Sequence, residues 1–150
     1  MSVVKVFLQL LLIMMVLNGC ATQQTKKPVL NDLKAQQARA NQAYMDGNYE
    51  LAINRYQELQ AVLDKDPYIW FRLGNSYSHL KQPDKAIQAY RKAVFIDPMM
   101  SKAWHNMGVM QLRQSANTWT QMLVHTQQSD PLYEKAERFS RDTLKALNNK

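Results

Sequence analysis

The side chains that could do chemistry in this 150-residue sequence are its histidines, its one cysteine and a few paired carboxylates. None of the histidines, which are His79, His105 and His125, has a Cys, His or carboxylate at the spacing of a metal-ligand pair. The pair of Asp64 and Asp66 is typical of a helix end, where a carboxylate caps the backbone. The sequence also has no glycine-rich phosphate loop and no nucleophile elbow. We therefore predict that the protein is not an enzyme and takes no metal ion, cofactor or small-molecule substrate.

The only cysteine, Cys20, comes directly after a segment typical of a secretory signal. Lys5 supplies one positive charge, and the run from Val6 to Leu17 is apolar apart from Gln9. This run is too short for a transmembrane helix, which needs about 20 apolar residues. A charged start, a short apolar stretch and a small residue at the end are the features of an export signal. The sequence therefore predicts a signal peptide over residues 1–19.

The four residues around the predicted cleavage point, Leu17-Asn18-Gly19-Cys20, resemble the bacterial lipobox, although Asn18 stands where a small or apolar residue is usual. The resemblance implies that a signal peptidase cuts before Cys20, which then carries acyl chains such as palmitate. The residue after the cysteine biases sorting in this family, and Ala21 in place of Asp resembles the pattern for retention in the outer membrane. Residues 20–30 would then be the lipidated cysteine and a flexible tether on the periplasmic face of that membrane. Two alternatives stay open, namely a free thiol at Cys20 and an apolar run that remains as an uncleaved anchor.

The composition of the rest of the chain favours helices and argues against nucleic acid as a partner. Gly and Pro are scarce, with 4 and 5 residues, and no long stretch alternates apolar and polar residues as a strand does. The formal net charge is +7, but the basic residues are scattered, and an exported protein meets little nucleic acid. The charge therefore suits a solvated surface and attraction to anionic lipid, glycan or an acidic partner.

The chain matches itself at a shift of 34 residues. The identical pairs include Ala52 and Ala86, Ile53 and Ile87, Tyr56 and Tyr90, Trp70 and Trp104, and Gly74 and Gly108. Within one period, Trp70, Gly74 and Tyr77 share one face of a helix, because they follow one another at helical spacing. A later row of alanines around Tyr90 could interdigitate with that face, where Gly74 lets the second helix approach closely.

These two rows and the following Asp97-Pro98 resemble the tetratricopeptide repeat through its full length. The resemblance implies an all-α, TPR-type solenoid of helical hairpins. We expect one domain over residues 31–150 with about three repeats, over about 33–66, 67–100 and 101–147. The third repeat departs from the pattern, so we expect an insertion near 116–129 and a closing helix from Pro131 to Leu147. The first helix of the first repeat is also atypical, which is common for terminal repeats.

The resemblance also implies a concave groove, lined by the first helix of each hairpin, that binds a peptide or protein. The candidate groove residues are Asn41, Tyr44, Tyr68, Phe71, Arg72, Asn75, His79, Lys102, His105 and Asn106, to which the same face of the third repeat adds Val109 and Arg113. Amide side chains there could bond a peptide backbone, and basic ones its carboxylates. Tyr68 and Phe71 are the best candidate anchors, because aromatic side chains often dominate interfaces. Binding through the convex face or an edge is the alternative.

The predicted function is a lipid-anchored periplasmic scaffold that binds another envelope protein or peptide. Similar small lipoproteins serve as assembly factors for pili, secretion channels or outer-membrane machinery, so the resemblance implies such a role. The alternative is a regulatory adaptor of a cell-wall enzyme. Some proteins of this family clamp a peptide's terminal carboxylate with five set groove residues. Only Asn41 and Lys102 agree with that set here, so we do not predict the clamp.

Overall fold

The computed structural model describes residues 30–148 and the side chains of residues 32–148. Every regular element in this part of the chain is an α-helix, which confirms the predicted all-α fold. The helices are α1 (Leu30–Met45), α2 (Tyr49–Gln60), α3 (Pro67–His79), α4 (Pro83–Ile96), α5 (Ser101–His125) and α6 (Tyr133–Asn148). Within residues 30–148, no helix combines the length and the apolar character needed to cross a membrane. The predicted signal peptide, Cys20 and the tether up to residue 29 lie outside the described residues.

Short turns with residues suited to tight bends connect the first four helices. Between α1 and α2, Gly47 has a φ of +75°, a left-handed conformation that glycine adopts without strain. The Asn48 side chain then caps α2 by accepting a hydrogen bond from the Leu51 amide at 3.2 Å. Asp66 caps α3, and Pro67 begins that helix at a position where a missing amide hydrogen costs nothing. These turns fold α1 against α2 and α3 against α4 as two helical hairpins.

The core runs from α1 to α5 and alternates large with small side chains. Tyr56 and Tyr90 are fully buried, and most of their buried neighbours are alanine, isoleucine or leucine. One cluster lies mainly between α1, α2 and α3 and the other between α4 and α5, while Trp70 and Tyr77 pack against both. A Cβ atom on Gly74 would lie 2.5 Å from the Tyr90 ring. The close approach of two helices expected at Gly74 is therefore present.

Trp70 and Trp104 occupy equivalent places one repeat apart. The indole nitrogen of Trp70 donates a hydrogen bond to the Asp64 carbonyl oxygen at 2.9 Å, and that of Trp104 donates to the Pro98 carbonyl oxygen at 3.0 Å. In both bonds the donor follows the acceptor by six residues. Each tryptophan therefore ties the start of its helix to the preceding loop, and the period of 34 residues in the sequence is also a structural period.

The last two helices depart from the repeat. α5 has 25 residues, whereas α3, at the same place in the preceding repeat, has 13. Residues 116–125, within the segment that the sequence predicts as an insertion, continue α5 without a break, and α6 begins at Tyr133 rather than at Pro131. α6 packs on the second half of α5, where the rings of Trp119 and Phe139 lie 5.1 Å apart. Among the described helices, none covers the first half of α5 as α4 covers α3.

Candidate peptide-binding groove

A groove with a volume of about 270 Å³ lies on the face formed by α1, α3 and α5, the first helices of the three hairpins. It is lined by Tyr44 from α1, by Asn75, Ser78 and His79 from α3, by His105, Asn106, Val109, Met110 and Arg113 from α5, and by Tyr90 from α4. The stacking of the hairpins brings these residues together from positions up to 69 apart in sequence, from Tyr44 to Arg113. This is the face on which the sequence places the candidate residues.

At the floor of the groove, Asn75 is held in one orientation by two neighbours. Its Oδ1 atom accepts one hydrogen bond from the Tyr90 hydroxyl at 2.8 Å and another from the Asn106 side-chain amide at 2.9 Å. Burial raises the pKa of Tyr90 to about 12, so its hydroxyl keeps the proton that it donates. With its oxygen engaged, Asn75 offers a ligand mainly its amide N–H groups. The floor of the groove therefore presents a donor suited to a peptide carbonyl oxygen.

The same arrangement occurs one repeat earlier. The Tyr56 hydroxyl donates a hydrogen bond to the Asn41 Oδ1 atom at 2.6 Å, and the Tyr68 hydroxyl lies 3.3 Å from the same oxygen. Asn41 and Asn75 are 34 residues apart, as are Tyr56 and Tyr90. In both hairpins, a buried tyrosine on the second helix thus orients an asparagine on the first.

Beside the groove, Arg72 lies between two tyrosine rings. Its guanidinium carbon is 4.8 Å from the centre of the Tyr44 ring and 4.9 Å from that of Tyr68, within the range of a cation–π contact. Its Nε atom also donates a hydrogen bond to the Tyr68 hydroxyl at 2.6 Å. These contacts hold the positive charge in place and leave the terminal N–H groups of the guanidinium for a carboxylate or carbonyl oxygen.

His79 is held among the aromatic side chains of the first hairpin. Its Nε2 atom lies 3.4 Å from the Tyr44 hydroxyl, and its ring stacks on Tyr49 with centroids 4.1 Å apart and planes 3° apart. The rings of Tyr44 and Tyr49 meet edge to face, with centroids 5.6 Å apart. These side chains form a wall that is ordered before any ligand arrives, which lowers the entropy cost of binding.

The electrostatic character of the groove is polar to positive. Arg113 lies on its α5 side, Arg72 adjoins Tyr44 on its α1 side, and none of the lining residues carries a carboxylate. Cations attract carboxylates, and oriented amides bond a peptide backbone. The arrangement therefore fits an extended peptide with acidic side chains or a terminal carboxylate. Among residues 30–148, no group of three His, Cys, Asp or Glu side chains could hold a metal ion.

Most of the candidate residues named from the sequence come together at this face. Those that line the groove are Tyr44, Asn75, His79, His105 and Asn106. Those that adjoin it through hydrogen bonds and ring contacts are Asn41, Tyr68 and Arg72. Phe71 instead packs into the core, with its ring centre 6.1 Å from that of Tyr90. Lys102 is exposed in the first turn of α5 and is not part of the groove lining.

Sequence reasoning missed Tyr49, Ser78 and Met110. Tyr49 begins a second helix, whereas the expected groove is lined by the first helix of each hairpin. Ser78 and Met110 follow Asn75 and Asn106 by three and four residues, so helical spacing places them on the same face. In the structure the Ser78 hydroxyl lies 3.3 Å from the Met110 sulfur, which joins α3 to α5 at the groove. The spacing was the signal that could have found this pair.

Residues 67–100 match the family model of the tetratricopeptide repeat. Over 82 residues the chain is 33% identical to the Small glutamine-rich tetratricopeptide repeat-containing protein 2 of Saccharomyces cerevisiae, an alignment that covers 55% of this chain and 23% of that protein. Over 72 residues it is 32% identical to the Photosystem I assembly protein Ycf3 of Acaryochloris marina, covering 45% of this chain and 43% of that protein. Over 66 residues it is 30% identical to the Peroxisomal targeting signal receptor of Eremothecium gossypii, covering 44% and 12%.

The chain spans less than half the length of each of these relatives, so the similarity concerns the repeat hairpins rather than the whole of any relative. The matched span of residues 67–100 holds α3 and α4, with the close contact of Gly74 and Tyr90 at its centre. The chain therefore contains a tetratricopeptide repeat within an all-helical solenoid of the same type, an architecture that serves protein–protein interaction.

Proposed function

We propose that this protein is a lipid-anchored scaffold at the periplasmic face of the outer membrane, whose groove binds an extended segment of an envelope protein. The observation that carries the binding role is the orientation of Asn75, whose oxygen is engaged by Tyr90 and Asn106. Its amide N–H groups are thereby left for a ligand. A preorganised donor between two basic side chains, of which Arg72 is held by Tyr44 and Tyr68, is a peptide-binding arrangement, because little ordering entropy is lost when the peptide arrives.

In this proposal the peptide crosses α3 on its way from the α1 side of the groove to the α5 side. Asn75 donates to a backbone carbonyl oxygen, while Arg72 on one side and Arg113 on the other pair with carboxylates of the ligand. A hydrogen bond to a charged group contributes about 1.5–3 kcal/mol, roughly twice as much as a neutral one. Acidic segments are therefore bound in preference to neutral or basic ones.

A role in assembly is supported by the similarity to a relative whose name describes the assembly of photosystem I. A scaffold that binds a short extended segment leaves the folded part of its partner protein free to contact other subunits. We propose that the clients here belong to an envelope machine such as a pilus, a secretion channel or an outer-membrane complex.

The lipid anchor is supported by the sequence around Cys20 and is tested at that residue. Each buried CH₂ group contributes about 0.8 kcal/mol, so several acyl chains give an attachment that surface charge alone does not. Replacing Cys20 with Ala should stop the incorporation of labelled fatty acid and release the protein from the membrane fraction. A Cys20→Ala protein that still takes up the label and sediments with membranes would refute the anchor.

The groove is tested by photocrosslinking in cells that express the full chain. A photoreactive amino acid replaces His105, which is exposed in the groove, or, as the control, Arg141, which is exposed on α6 and is not part of the groove lining. We expect a defined envelope protein to crosslink from position 105 and not from position 141.

Adding Arg113→Glu should lower the yield at position 105 by about tenfold, since it puts a like charge against an acidic ligand. Equal yields at both positions, or a yield that Arg113→Glu leaves unchanged, would exclude the groove. A crosslink to a cell-wall hydrolase whose activity the scaffold alters would instead favour a regulatory role.

A further inference from the structure

The face of α3 that α4 covers has an uncovered counterpart on α5. At Gly74 the neighbouring space is filled by the Tyr90 ring, which lies 2.5 Å from the position of a Cβ atom. At Gly108, one repeat later, no atom of another described element lies within 4 Å of that position. Trp104 is 50% exposed, whereas its counterpart Trp70 is mostly buried. The open α5 face consists of Trp104, Gly108 and Gln111. Met107, at the edge of this face, is already buried in the core cluster between α4 and α5.

The position of α6 explains why this face is open. The hydroxyl oxygens of Thr120 and Ser140 lie 3.4 Å apart, so this point of α6 sits beside the second half of α5. Only eight residues of α6 follow Ser140 as far as Asn148. At a rise of about 1.5 Å per residue, they reach back along α5 to roughly residue 112. α6 therefore ends before Gly108.

We propose that the open α5 face binds an amphipathic helix of a partner protein, and that this helix places a large apolar side chain against Gly108. The proposed contact repeats the chain's own α3–α4 interface, where Tyr90 fills the space at Gly74 and alanines flank Tyr90 on α4. The partner helix should carry the same small-large-small row on one face. Because the groove lies on another side of α5, with Asn106, Met110 and Arg113, both sites could be occupied at once.

The described helices of a second copy do not provide this occupant. The two helices that carry a tyrosine in such a row, α2 and α4, bury Tyr56 and Tyr90 completely and bond both hydroxyls to asparagines. α6 has the small residue Ser140 between Ala136 and Thr143, where the row needs a large one. Phe95 and Leu144 are large and exposed, but neither lies between two small residues in such a row. These helices therefore do not present the row at their surface, which favours a helix of another protein.

The probe for this site is a peptide of the chain's own α4, residues 82–97, stapled between positions 88 and 92, which are exposed in the structure. The staple is needed because an isolated helix of this length is marginal in water. The full chain is labelled with ¹⁵N, and the backbone signal of Gly108 and the indole signal of Trp104 are followed as the peptide is added. We expect saturable shifts at both, and a peptide with Tyr90→Ala should bind at least about tenfold more weakly.

The matched protein variant is Gly108→Gln. A glutamine side chain fills the space that the partner needs, so it should weaken peptide binding by about tenfold or more without lowering the melting temperature of the free chain. Changes in the chemical shift of Gly74 instead of Gly108 would mean that the peptide displaces the chain's own α4, and would overturn the proposal. Equal binding of both peptides, no shifts at millimolar peptide, or concentration-dependent dimerisation through Gly108 without peptide would also overturn it.

Discussion

Gly74 and Tyr90 are in direct contact between α3 and α4, and the Tyr90 ring occupies the place where a side chain of residue 74 would begin. The ring cannot move aside easily, because its hydroxyl is bonded to Asn75 and the side chain is 1% exposed. The contact therefore fixes the distance between the two helices of the matched repeat.

Gly74→Ala should destabilise the fold, whereas Gly108→Ala should stabilise it. At Gly74 the added methyl group meets the buried ring, and overpacking of this kind costs about 1–3 kcal/mol. At Gly108 the methyl group meets no other element. Alanine is favoured over glycine within a helix by about 0.5–1 kcal/mol, so the free energy of unfolding should rise by that amount. Urea unfolding followed by circular dichroism measures both. Effects of the same sign would contradict the structure.

Removing the tyrosine hydroxyls should cost far less than removing the rings. Tyr90→Phe loses one hydrogen bond, worth about 1 kcal/mol, and Asn75 keeps its bond from Asn106. Tyr90→Ala also leaves a cavity in the core and should cost about 3–5 kcal/mol. The free energy of unfolding of the two variants tests the order. Tyr56→Phe serves as the control in the other hairpin and should resemble Tyr90→Phe.

Stability should fall at alkaline pH. Burial raises the pKa of Tyr90 from 10.0 to about 12 and raises the pKa of Tyr56 as well. In the unfolded chain both groups lose their protons near pH 10, but in the folded chain they keep them. Above pH 10 the unfolded state therefore binds fewer protons, and each tyrosine lowers the free energy of unfolding by up to about 1.4 kcal/mol per pH unit until its folded pKa is reached.

The control for this pH dependence is the double variant Tyr56→Phe/Tyr90→Phe, which keeps the rings and has no ionisable hydroxyl at either place. Its unfolding free energy should fall less steeply between pH 10 and 12 than that of the unaltered chain. Parallel curves would show that the two hydroxyls do not cause the loss.

Trp70→Ala should be much more damaging than Trp104→Ala. Trp70 packs against both core clusters, whereas Trp104 is 50% exposed and lacks a covering helix in the described chain. We expect a cost of about 3–5 kcal/mol at Trp70, the range for a core aromatic, and less than about half of that at Trp104. Thermal unfolding followed by circular dichroism compares them. A larger loss at Trp104 would mean that its face is covered in solution.

The repeat architecture could be predicted from the sequence because the residues that set its period also make its tightest contacts. Three residues can be recognised in the sequence by their unusually small or large side chains. Gly74 makes room for the Tyr90 ring, and Trp70 bonds the preceding loop. The candidate groove was predicted in the same way, as one face of each first helix. Phe71 shows the limit of that rule, because a residue at the border between two faces can turn into the core.

The extension of α5 is harder to predict, because its residues depart from the repeat pattern and yet include no helix breaker. Thr120 and Val124 stand where the repeat has Ala86 and Tyr90, which favours an insertion. However, no Gly or Pro occurs between Gly108 and Pro131, so nothing in that stretch stops a helix. The recurrence of Asn41 and Tyr56 as Asn75 and Tyr90 is visible in the sequence, but the hydrogen bond that joins each pair appears only in the structure.

The unbroken course of α5 gives the molecule a rigid arm. Helices bend sharply at proline, at paired small residues or at inserted turns, and the stretch from Val109 to His125 has no proline or glycine. Its last 12 residues extend by about 18 Å, and α6 braces them from one side. A partner bound at the outer end of α5 is thus held at a fixed distance and angle from a peptide bound between Tyr44 and Arg113.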